Sequence, residues 1–286
     1  MNNKKIKITI TIFVITLILV CVCIFAYPSL YEYQCKNRYF EDFSKKITNE
    51  ILESNIVIVK QEKNIAEDVT TFSWNVGASG VIFDSEDNTY YALTAYHVVR
   101  DFENADYIII PYGVPTYSEY SKNSQTHISH QVYYEQFEKA QLVFADEAYD
   151  LAVISFKSEK KLKVLPICED NPKYNEAIMV ISNPEGERFV CSYGNIRSKN
   201  YYIFDSNDEL PPVNTFKHNA YESYGSSGGA VLNQEMQIVG INIGGGTDFM
   251  NRFKYGVMVP CELISEFLEK CNQNNTKQQT EAQAIK

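Results

Sequence analysis

Between residues 55 and 260 the sequence consists of short runs of β-branched and aromatic residues separated by turn-forming residues. In the first half of this region the runs are 56–59, 70–74, 80–83, 90–94, 107–111, 131–134, 141–144 and 151–156. A similar series follows Pro166 and continues to Pro260. Many short strands at this spacing are typical of an antiparallel barrel or sandwich. With 286 residues, of which 45% are hydrophobic and 13% aromatic, the chain can bury a large core. We therefore predict an all-β domain.

A glycine-rich stretch around Ser227 is the first candidate for chemistry. Residues 221–232 read Tyr-Glu-Ser-Tyr-Gly-Ser-Ser-Gly-Gly-Ala-Val-Leu, so Gly225 precedes Ser227, and Gly228 and Gly229 follow it. Glycines permit a tight turn that presents one hydroxyl at the rim of a β-rich core. Taken alone, the same string also fits a flexible Gly/Ser loop.

Two other positions supply the partners that a nucleophilic serine needs. His97 ends a strand-like run and can accept a proton near neutral pH, and Asp150 stands at the start of the apolar run 151–156. A serine hydroxyl is a poor nucleophile unless a base, itself oriented by a third group, activates it. Each residue alone also fits a structural role, and Asp146 is the alternative carboxylate. Three further histidines are assigned ordinary polar roles: His127, His130 and His218.

At these residues the sequence resembles the trypsin/chymotrypsin-like serine peptidases, and most of all their bacterial HtrA/Deg branch. The resemblance runs from about Gly77 to Pro260 and rests on segments in the family's order, namely 77–82, 93–99, 150–153, 183–186, 225–229, 239–242 and 256–260. It implies two six-stranded antiparallel β-barrels whose boundary lies near residues 160–166. His97 and Asp150 would come from the first barrel and Ser227 from the second, in a peptidase domain of residues 55–271.

The resemblance also implies roles for individual residues. His97 would be the general base, Asp150 its orienting carboxylate and Ser227 the nucleophile, with the backbone N–H groups of Gly225 and Ser227 as the oxyanion hole. Because Ser226 replaces trypsin's aspartate before the nucleophile, activation by cleavage of a pro-segment is not expected. By similarity, the substrate pocket would be lined near Tyr221, Glu222, Asn242, Ile243, Gly244 and Gly256.

The expected pocket differs from that of trypsin. Tyr221 stands where trypsin has the aspartate that selects basic residues, and Asn242 stands where glutamyl endopeptidases carry a histidine. We therefore expect a medium-sized apolar residue before the scissile bond, with Glu222 or Asp248 as alternative sources of a negative charge.

The N-terminal region contains an uncharged apolar run from residue 8 to residue 27. As a helix, its 20 residues would span about 30 Å, which is the hydrocarbon thickness of a bilayer. We expect an uncleaved single-pass anchor, since the run is longer than a signal peptide's apolar region of about 7–15 residues. Lys4, Lys5 and Lys7 favour a cytoplasmic N-terminus (residues 1–7) and an extracytoplasmic domain.

Two further segments flank the expected domain. Residues 28–54 are predicted to form an amphipathic juxtamembrane helix, because Phe40, Phe43, Ile47 and Ile51 recur at near-helical intervals. By the resemblance, aromatic residues here would also allow a homotrimer. A short closing helix is expected at residues 260–271, followed by a disordered polar tail (272–286), which leaves no room for the C-terminal PDZ domain of many HtrA-type peptidases.

Charge and composition limit the partners and cofactors that we expect for this protein. A net charge of −10 and a pI near 5.0 argue against nucleic acid as a partner. The seven cysteines show no metal-ligand spacing with a histidine, so we expect neither a metal nor a cofactor. Protein or peptide substrates are expected for a membrane-anchored serine endopeptidase, whose tasks in this family include protein quality control and the processing of one dedicated target. The alternative is a catalytically inactive trypsin-like module that binds or senses at the membrane.

Overall fold

The computed structural model describes residues 3–66, 69–206 and 210–284. Six antiparallel strands form a first sheet in the order β4-β1-β2-β3-β6-β5. The two edges of this sheet meet, because Ala140 N donates to Tyr107 O at 2.7 Å and Ile109 N donates to Glu138 O at 3.0 Å. The sheet therefore closes into a barrel. Its strands are β1 Asn55–Ala66, β2 Val69–Glu86, β3 Thr89–Ala95, β4 Ala105–Pro111, β5 Gln141–Asp146 and β6 Leu151–Lys157.

A second antiparallel sheet has the order β8-β7-β11-β12-β13-β10-β9. Six of its strands close into a ring, because Arg197 N donates to Lys217 O (2.7 Å) and Asn219 N donates to Asn195 O (3.2 Å), which joins the end of β8 to β10. The prediction of two six-stranded antiparallel barrels is confirmed, with the short β9 as a seventh strand on β10. The strands are β7 Ala177–Ser182, β8 Val190–Asn195, β9 Tyr202–Phe204, β10 Val213–His218, β11 Ala230–Leu232, β12 Ile238–Thr247 and β13 Phe253–Pro260.

The N-terminal apolar segment is helical. Helix α1 (Asn3–Cys21) continues through a π-helical turn (Val22–Ala26) into α2 (Tyr27–Lys36). This helix is long and apolar enough to cross a membrane, and none of its apolar stretch is buried against the domain; a signal sequence has the same properties. The remaining helices are α3 Glu41–Ser44, α4 Asn49–Leu52, α5 Tyr96–Val99, α6 Tyr117–Asn123, α7 His130–Tyr134 and α8 Cys261–Ala284.

Three apolar clusters fill the two barrels and the space between them. One fills the first barrel and includes Ile56, Ile58 and Ile154, and another fills the second barrel and includes Val180 and Met258. The largest lies between the barrels and takes residues from both, together with side chains from α3, α4 and α8. Members of this shared cluster with no more than 2% exposure include Val81, Leu93, Met179, Ile241, Phe43 and Phe267. Because this cluster needs both barrels, it fixes how they face each other across a groove.

Several local predictions need correction. Residues 131–134, predicted as a strand, form helix α7, because Ser129 Oγ caps it by accepting from Val132 N (3.2 Å) and its aromatic residues cover the outside of β1. The predicted runs 70–74 and 80–83 belong to one strand, β2.

The flanking segments also differ from expectation. The juxtamembrane helix is present as α2, but Phe40 is extended at the start of α3 and Thr48 caps α4, so Phe43 and Ile51 reach the shared core from two separate turns. The closing helix extends to Ala284, and residues 272–284 are therefore helical where the sequence favoured disorder.

Candidate active site

His97 lies where β3 ends in the one-turn helix α5. Ala95 is still extended, and Val99 is buried beneath the turn with 1% exposure, which fixes the turn on the first barrel. The His97 side chain keeps 28% of its surface exposed. It is therefore held in place but remains accessible from the groove.

Asp150 lies immediately before β6, the strand that pairs with β3. Its φ of 49° is in the left-handed region, which aspartate tolerates, and its side chain is 6% exposed. The carboxylate accepts a hydrogen bond from His97 N (2.9 Å) and lies 2.8 Å from His97 Nδ1 through Oδ2. Since a carboxylate can only accept, Nδ1 carries the proton, and a neutral imidazole then presents Nε2 as a base.

The alternative carboxylate, Asp146, is held elsewhere. Its Oδ2 contacts Lys270 Nζ on α8 at 3.2 Å, and its Oδ1 accepts from Ala148 N. Of the two candidate carboxylates, Asp150 is therefore the one that contacts the histidine.

Ser227 lies in the loop between β10 and β11, against β2 at Ser79. Ser79 N donates to Ser227 O (2.9 Å), and Thr94 Oγ1, three residues before His97, donates to Ser79 O (2.8 Å). These contacts bring the serine loop beside the strand that leads to His97. Among the described residues, no hydrogen bond joins Ser227 Oγ to His97; such bonds are often long in the absence of substrate.

Glycine is required on both sides of the serine. At Gly228 (φ 84°) an added Cβ would lie 2.0 Å from Ser79 O and 2.4 Å from Thr94 Oγ1. At Gly225 (φ 96°) it would lie 2.3 Å from Gly77 O and 2.4 Å from Asn183 O. The loop therefore packs against its neighbours more closely than any side chain permits.

The N–H groups of Gly225 and Ser227 donate to no backbone acceptor within the described part of the chain. The carbonyl of Gly225 points toward β2, because its oxygen accepts a hydrogen bond from Ser79 Oγ (2.7 Å). Ser79 Oγ in turn accepts from Asn183 N (2.9 Å) and Asn183 Nδ2 (3.1 Å). Ser79, which sequence analysis gave no role of its own, thus ties the serine loop to both barrels; its residue type alone carries no signal of this.

Glu185 makes a second set of contacts that stabilises the Ser227 loop. Glu185 N donates to Tyr224 O (2.7 Å), and Ser223 Oγ donates to Glu185 Oε1 (2.7 Å). Glu185 itself adopts a left-handed backbone, with a φ of 54°. The segment 183–186 therefore holds residues 223–225 in one conformation.

Two of the predicted pocket residues, Asn242 and Glu222, form a chain of hydrogen bonds with His218. His218, fully buried on β10, donates from Nε2 to Asn242 Oδ1 (3.0 Å), and Asn242 Nδ2 donates to Glu222 Oε2 (3.3 Å). The ring of His218 fills the space beside Gly256, whose added Cβ would lie 2.2 Å from its Cε1. Sequence analysis gave His218 an ordinary polar role; the structure shows it buried and bonded to Asn242, and the mixed residues of β10 carry no signal of this.

Burial shifts the pKa values of His218 and Glu222 in this hydrogen-bonded chain. Burial lowers the pKa of His218 to about 4, so the ring is neutral at pH 7. Burial likewise raises the pKa of Glu222 to about 7, against the hydrogen bond from Asn242, which lowers it. An added Cβ on Gly245 would lie 2.2 Å from Glu222 Oε1, so the carboxyl group is packed against β12.

The other predicted pocket residues separate in the structure. The half-buried ring of Tyr221 lies 5.3 Å from that of Phe253, with Lys36 Nζ 4.5 Å above it. Ile243 is 3% exposed and belongs to the shared core, whereas Gly244 adopts a φ of 148° near Phe204. Of the six expected pocket residues, Glu222 and Asn242 are thus the two that share a side-chain hydrogen bond.

The chain is a double β-barrel protein in which a buried carboxylate contacts a histidine at the groove. A family model described as "Trypsin-like peptidase domain" matches residues 78–241, more than half of the chain. The chain therefore belongs to the trypsin-like peptidase family.

The relatives that the chain matches are named as HtrA-type serine proteases. The chain is 27% identical over 168 residues to "Serine protease Do-like HtrB" of Bacillus subtilis, covering 57% of this chain and 32% of that protein. It is 24% identical over 216 residues to "Serine protease Do-like HtrA" of Lactococcus lactis subsp. cremoris, covering 69% and 47%. A third relative, "Serine protease HtrA-like" of Staphylococcus epidermidis, is 27% identical over 197 residues, covering 64% and 30%. The chain thus spans from about a third to about a half of these relatives' length.

A solved structure shares the fold. The inactive form of Rv3671c from M. tuberculosis, a serine-to-alanine mutant, superposes with a TM-score of 0.54 at 14% identity. The match covers 80% of this chain and 93% of that chain. At this identity the likeness supports the architecture alone.

Proposed function

We propose that this protein is a membrane-anchored serine endopeptidase that cleaves protein substrates through an acyl-enzyme. The observation that carries the proposal is the contact between His97 Nδ1 and the buried Asp150 carboxylate, on the groove beside the Ser227 loop. An imidazole fixed in this tautomer can accept a proton at Nε2, which is what a serine nucleophile requires.

In the proposed mechanism, His97 takes the Ser227 proton as Oγ attacks the scissile carbonyl. Asp150 stabilises the imidazolium that forms, and His97 then passes the proton to the leaving amine. The N–H groups of Gly225 and Ser227 would bind the developing oxyanion, and one such donor typically contributes about 10²–10³ in rate. Water, activated by the same histidine, would release the acyl group.

Labelling with a fluorophosphonate tests this proposal, because the reagent reacts only with an activated serine. The wild-type chain should be labelled and Ser227→Ala should not, while Ser118→Ala, at an exposed position on α6, should keep the label. Loss of either Ser227 or His97 should lower turnover by about 10⁴–10⁶. A well-folded wild-type protein that resists labelling under all conditions would favour the alternative, an inactive trypsin-like binding or sensing module.

We further propose that the substrate pocket is lined near Tyr221, Glu222, Asn242, Ile243, Gly244 and Gly256, with Glu222 and Asn242 at its polar end. A medium-sized apolar residue fits best before the scissile bond, because the Glu222 carboxyl is packed against Gly245 and already bonded to Asn242. A peptide library tests this pocket. A strong preference for arginine or lysine would contradict it.

The apolar helix is proposed to anchor the domain, with residues 1–7 cytoplasmic and the peptidase domain extracytoplasmic. Lys4, Lys5 and Lys7 support this orientation through the positive-inside tendency. Added protease should digest the domain in right-side-out vesicles and spare it in inverted ones, whereas the reverse pattern would refute the orientation. Quality control and processing of a dedicated target both remain compatible with such an anchored peptidase.

A homotrimer stays a prediction. The aromatic residues ahead of the first barrel are partly used within the chain, since Phe43 is fully buried and stacks near Phe40. Tyr33 and Tyr39, each 64% exposed, are the aromatic side chains that could contact another copy.

A further inference from the structure

The tip of the β12–β13 hairpin, residues 248–252, holds two large apolar side chains in solvent. Phe249 is 73% exposed and Met250 is 51% exposed. The loop that carries them is well bonded, because Asp248 Oδ1 accepts from Met250 N (2.8 Å) and Arg252 N (3.0 Å). The Arg252 guanidinium also pairs with Asp248 Oδ2 at 2.6 Å. The two apolar side chains are therefore held outward by a rigid turn.

This tip lies against the end of the apolar helix. Arg252 Nη1 donates to Phe25 O (2.7 Å) and to Ser29 Oγ (2.8 Å), and Nη2 donates to Ile24 O (3.0 Å). The two carbonyls belong to the π-helical turn, where a widened backbone leaves acceptors for other donors. The rings of Phe25 and Phe249 meet edge to face at 6.3 Å.

A further contact fixes this arrangement on the domain side. Phe253 N donates to Glu32 Oε2 on α2 (3.2 Å), and Glu32 pairs with Lys36 at 3.2 Å. The helix is thus joined to the start of β13 over two turns. The relative height of the hairpin tip and the helix is set by these bonds.

The height of the tip relative to the expected bilayer indicates its partner. Phe25 lies two residues before the end of the uncharged run 8–27, which is about 3 Å inside it at 1.5 Å per residue. A side chain beside Phe25 is therefore level with the membrane interface, where aromatic residues are favoured. The Arg252 guanidinium lies at the same level, but it is paired with Asp248 and bonded to the helix carbonyls, and the two side chains are only 12% and 11% exposed. Glu32, seven residues after Phe25 on the helix, lies on the domain side.

We propose that Phe249 and Met250 insert into the interfacial layer of the bilayer that the apolar helix crosses, as a second membrane contact of the domain. This inference rests on the proposed anchor. The tip directly follows strand β12, which carries Asn242, and the five residue steps from Asn242 to Thr247 span roughly 17 Å. The substrate-binding edge is thereby held near the membrane, and the peptide segments it reaches are those of proteins close to the bilayer surface.

Quenching by brominated lipid tests the contact on the full chain in vesicles. The chain has one tryptophan, Trp74, whose Nε1 has no hydrogen-bond partner among the described residues, so Trp74→Phe removes the background without losing a bond. In that background, Phe249→Trp and Met250→Trp place the probe at the tip. Leu142→Trp, at a position 41% exposed on β5 of the first barrel, is the matched control.

Lipids brominated near the headgroup should remove most of the emission of both tip variants and leave the control unchanged. Equal quenching at the tip and the control, in protein that floats with the vesicles, would overturn the bilayer contact and leave the anchor intact. Protein that fails to float would instead refute the anchor and the contact with it. A tip emission that shifts with protein concentration and ignores bromination would overturn the proposal in favour of a second copy of the chain.

Discussion

Asp150 shows how one residue depends on its position between two strands. Ala95 at the end of β3 pairs with Leu151 at the start of β6, so residues adjacent to these ends become neighbours although 53 positions separate His97 from Asp150. The left-handed backbone of Asp150 then turns its carboxylate toward both the N–H and the ring of His97. The proposed catalytic pair thus depends on strand register as well as on residue type.

Replacing Asp150 tests its role directly. Asp150→Asn should lower turnover of a fluorescent protein substrate by about 10⁴, because an amide stabilises the wrong imidazole tautomer and no imidazolium. Asp146→Asn is the matched control, since that carboxylate contacts Lys270 instead, and its activity should stay near wild type. Similar losses in the two variants would contradict the assignment.

Glu222 should make the folding stability of the protein depend measurably on pH. Its pKa is raised by burial from 4.5 to about 7, so the folded chain binds more protons there than the unfolded chain between these values. The stability contributed by the protonated carboxyl is fully present below about pH 4.5 and is lost as the pH rises through about 7. In the Glu222→Gln variant this side chain cannot titrate, so its contribution to stability does not change with pH.

The Tm of Glu222→Gln should therefore rise relative to wild type from pH 4.5 to 7 and show a constant difference at higher pH. Thermal unfolding of both chains in the same detergent provides the measurement. His218, whose lowered pKa has the opposite effect at acidic pH, is present in both chains and cancels in the difference. A difference that is the same at every pH would refute the buried protonated state.

At the level of elements, the juxtamembrane segment belongs to the domain's core. Phe43 on α3 is fully buried in the shared cluster and lies 6.1 Å from Tyr193 by ring centroids. Arg38 Nη1 donates to Asn219 Oδ1 (2.7 Å), just ahead of the serine loop. This segment therefore does more than connect the membrane helix to the domain.

Phe43→Ala should lower the free energy of unfolding by about 3–5 kcal/mol, because it leaves a cavity in a well-packed core. Tyr33→Ala on α2 removes a comparably large ring that is 64% exposed, and it should change stability by no more than about 0.5 kcal/mol. Denaturant titration in detergent, followed by Trp74 fluorescence, measures both. An equally small effect for Phe43 would show that the segment is not part of the folded core.

For the molecule as a whole, the shared cluster should make the two barrels unfold together. Val81 and Leu93 from the first barrel pack with Met179 and Ile241 from the second, so neither barrel keeps its burial alone. Trp74 reports on the first barrel, whereas far-ultraviolet circular dichroism reports on both. The two midpoints should coincide in thermal unfolding. Clearly separated midpoints would indicate two independent domains.

Much of this architecture is determined by local patterns. The β-branched runs predict most strands, the glycines beside Ser227 predict the tight loop, and the uncharged run predicts the long apolar helix. The helix at 130–134 was missed because its aromatic residues also suit a strand, and only its cap and its packing on β1 decide between the two. The breaks in the juxtamembrane segment were missed for a similar reason, since helical spacing of apolar residues does not reveal where a chain turns.

The residue types of the candidate site, their order and the all-β character of the domain follow from the amino-acid sequence. Only the folded chain shows that Asp150 and not Asp146 contacts His97, that Ser79 holds the serine loop, and that His218, Asn242 and Glu222 are joined by hydrogen bonds. It also shows that Arg252 contacts the helix more than 220 residues earlier. Such contacts depend on barrel closure and strand register, which are set by packing between distant segments and leave no periodic trace in the sequence.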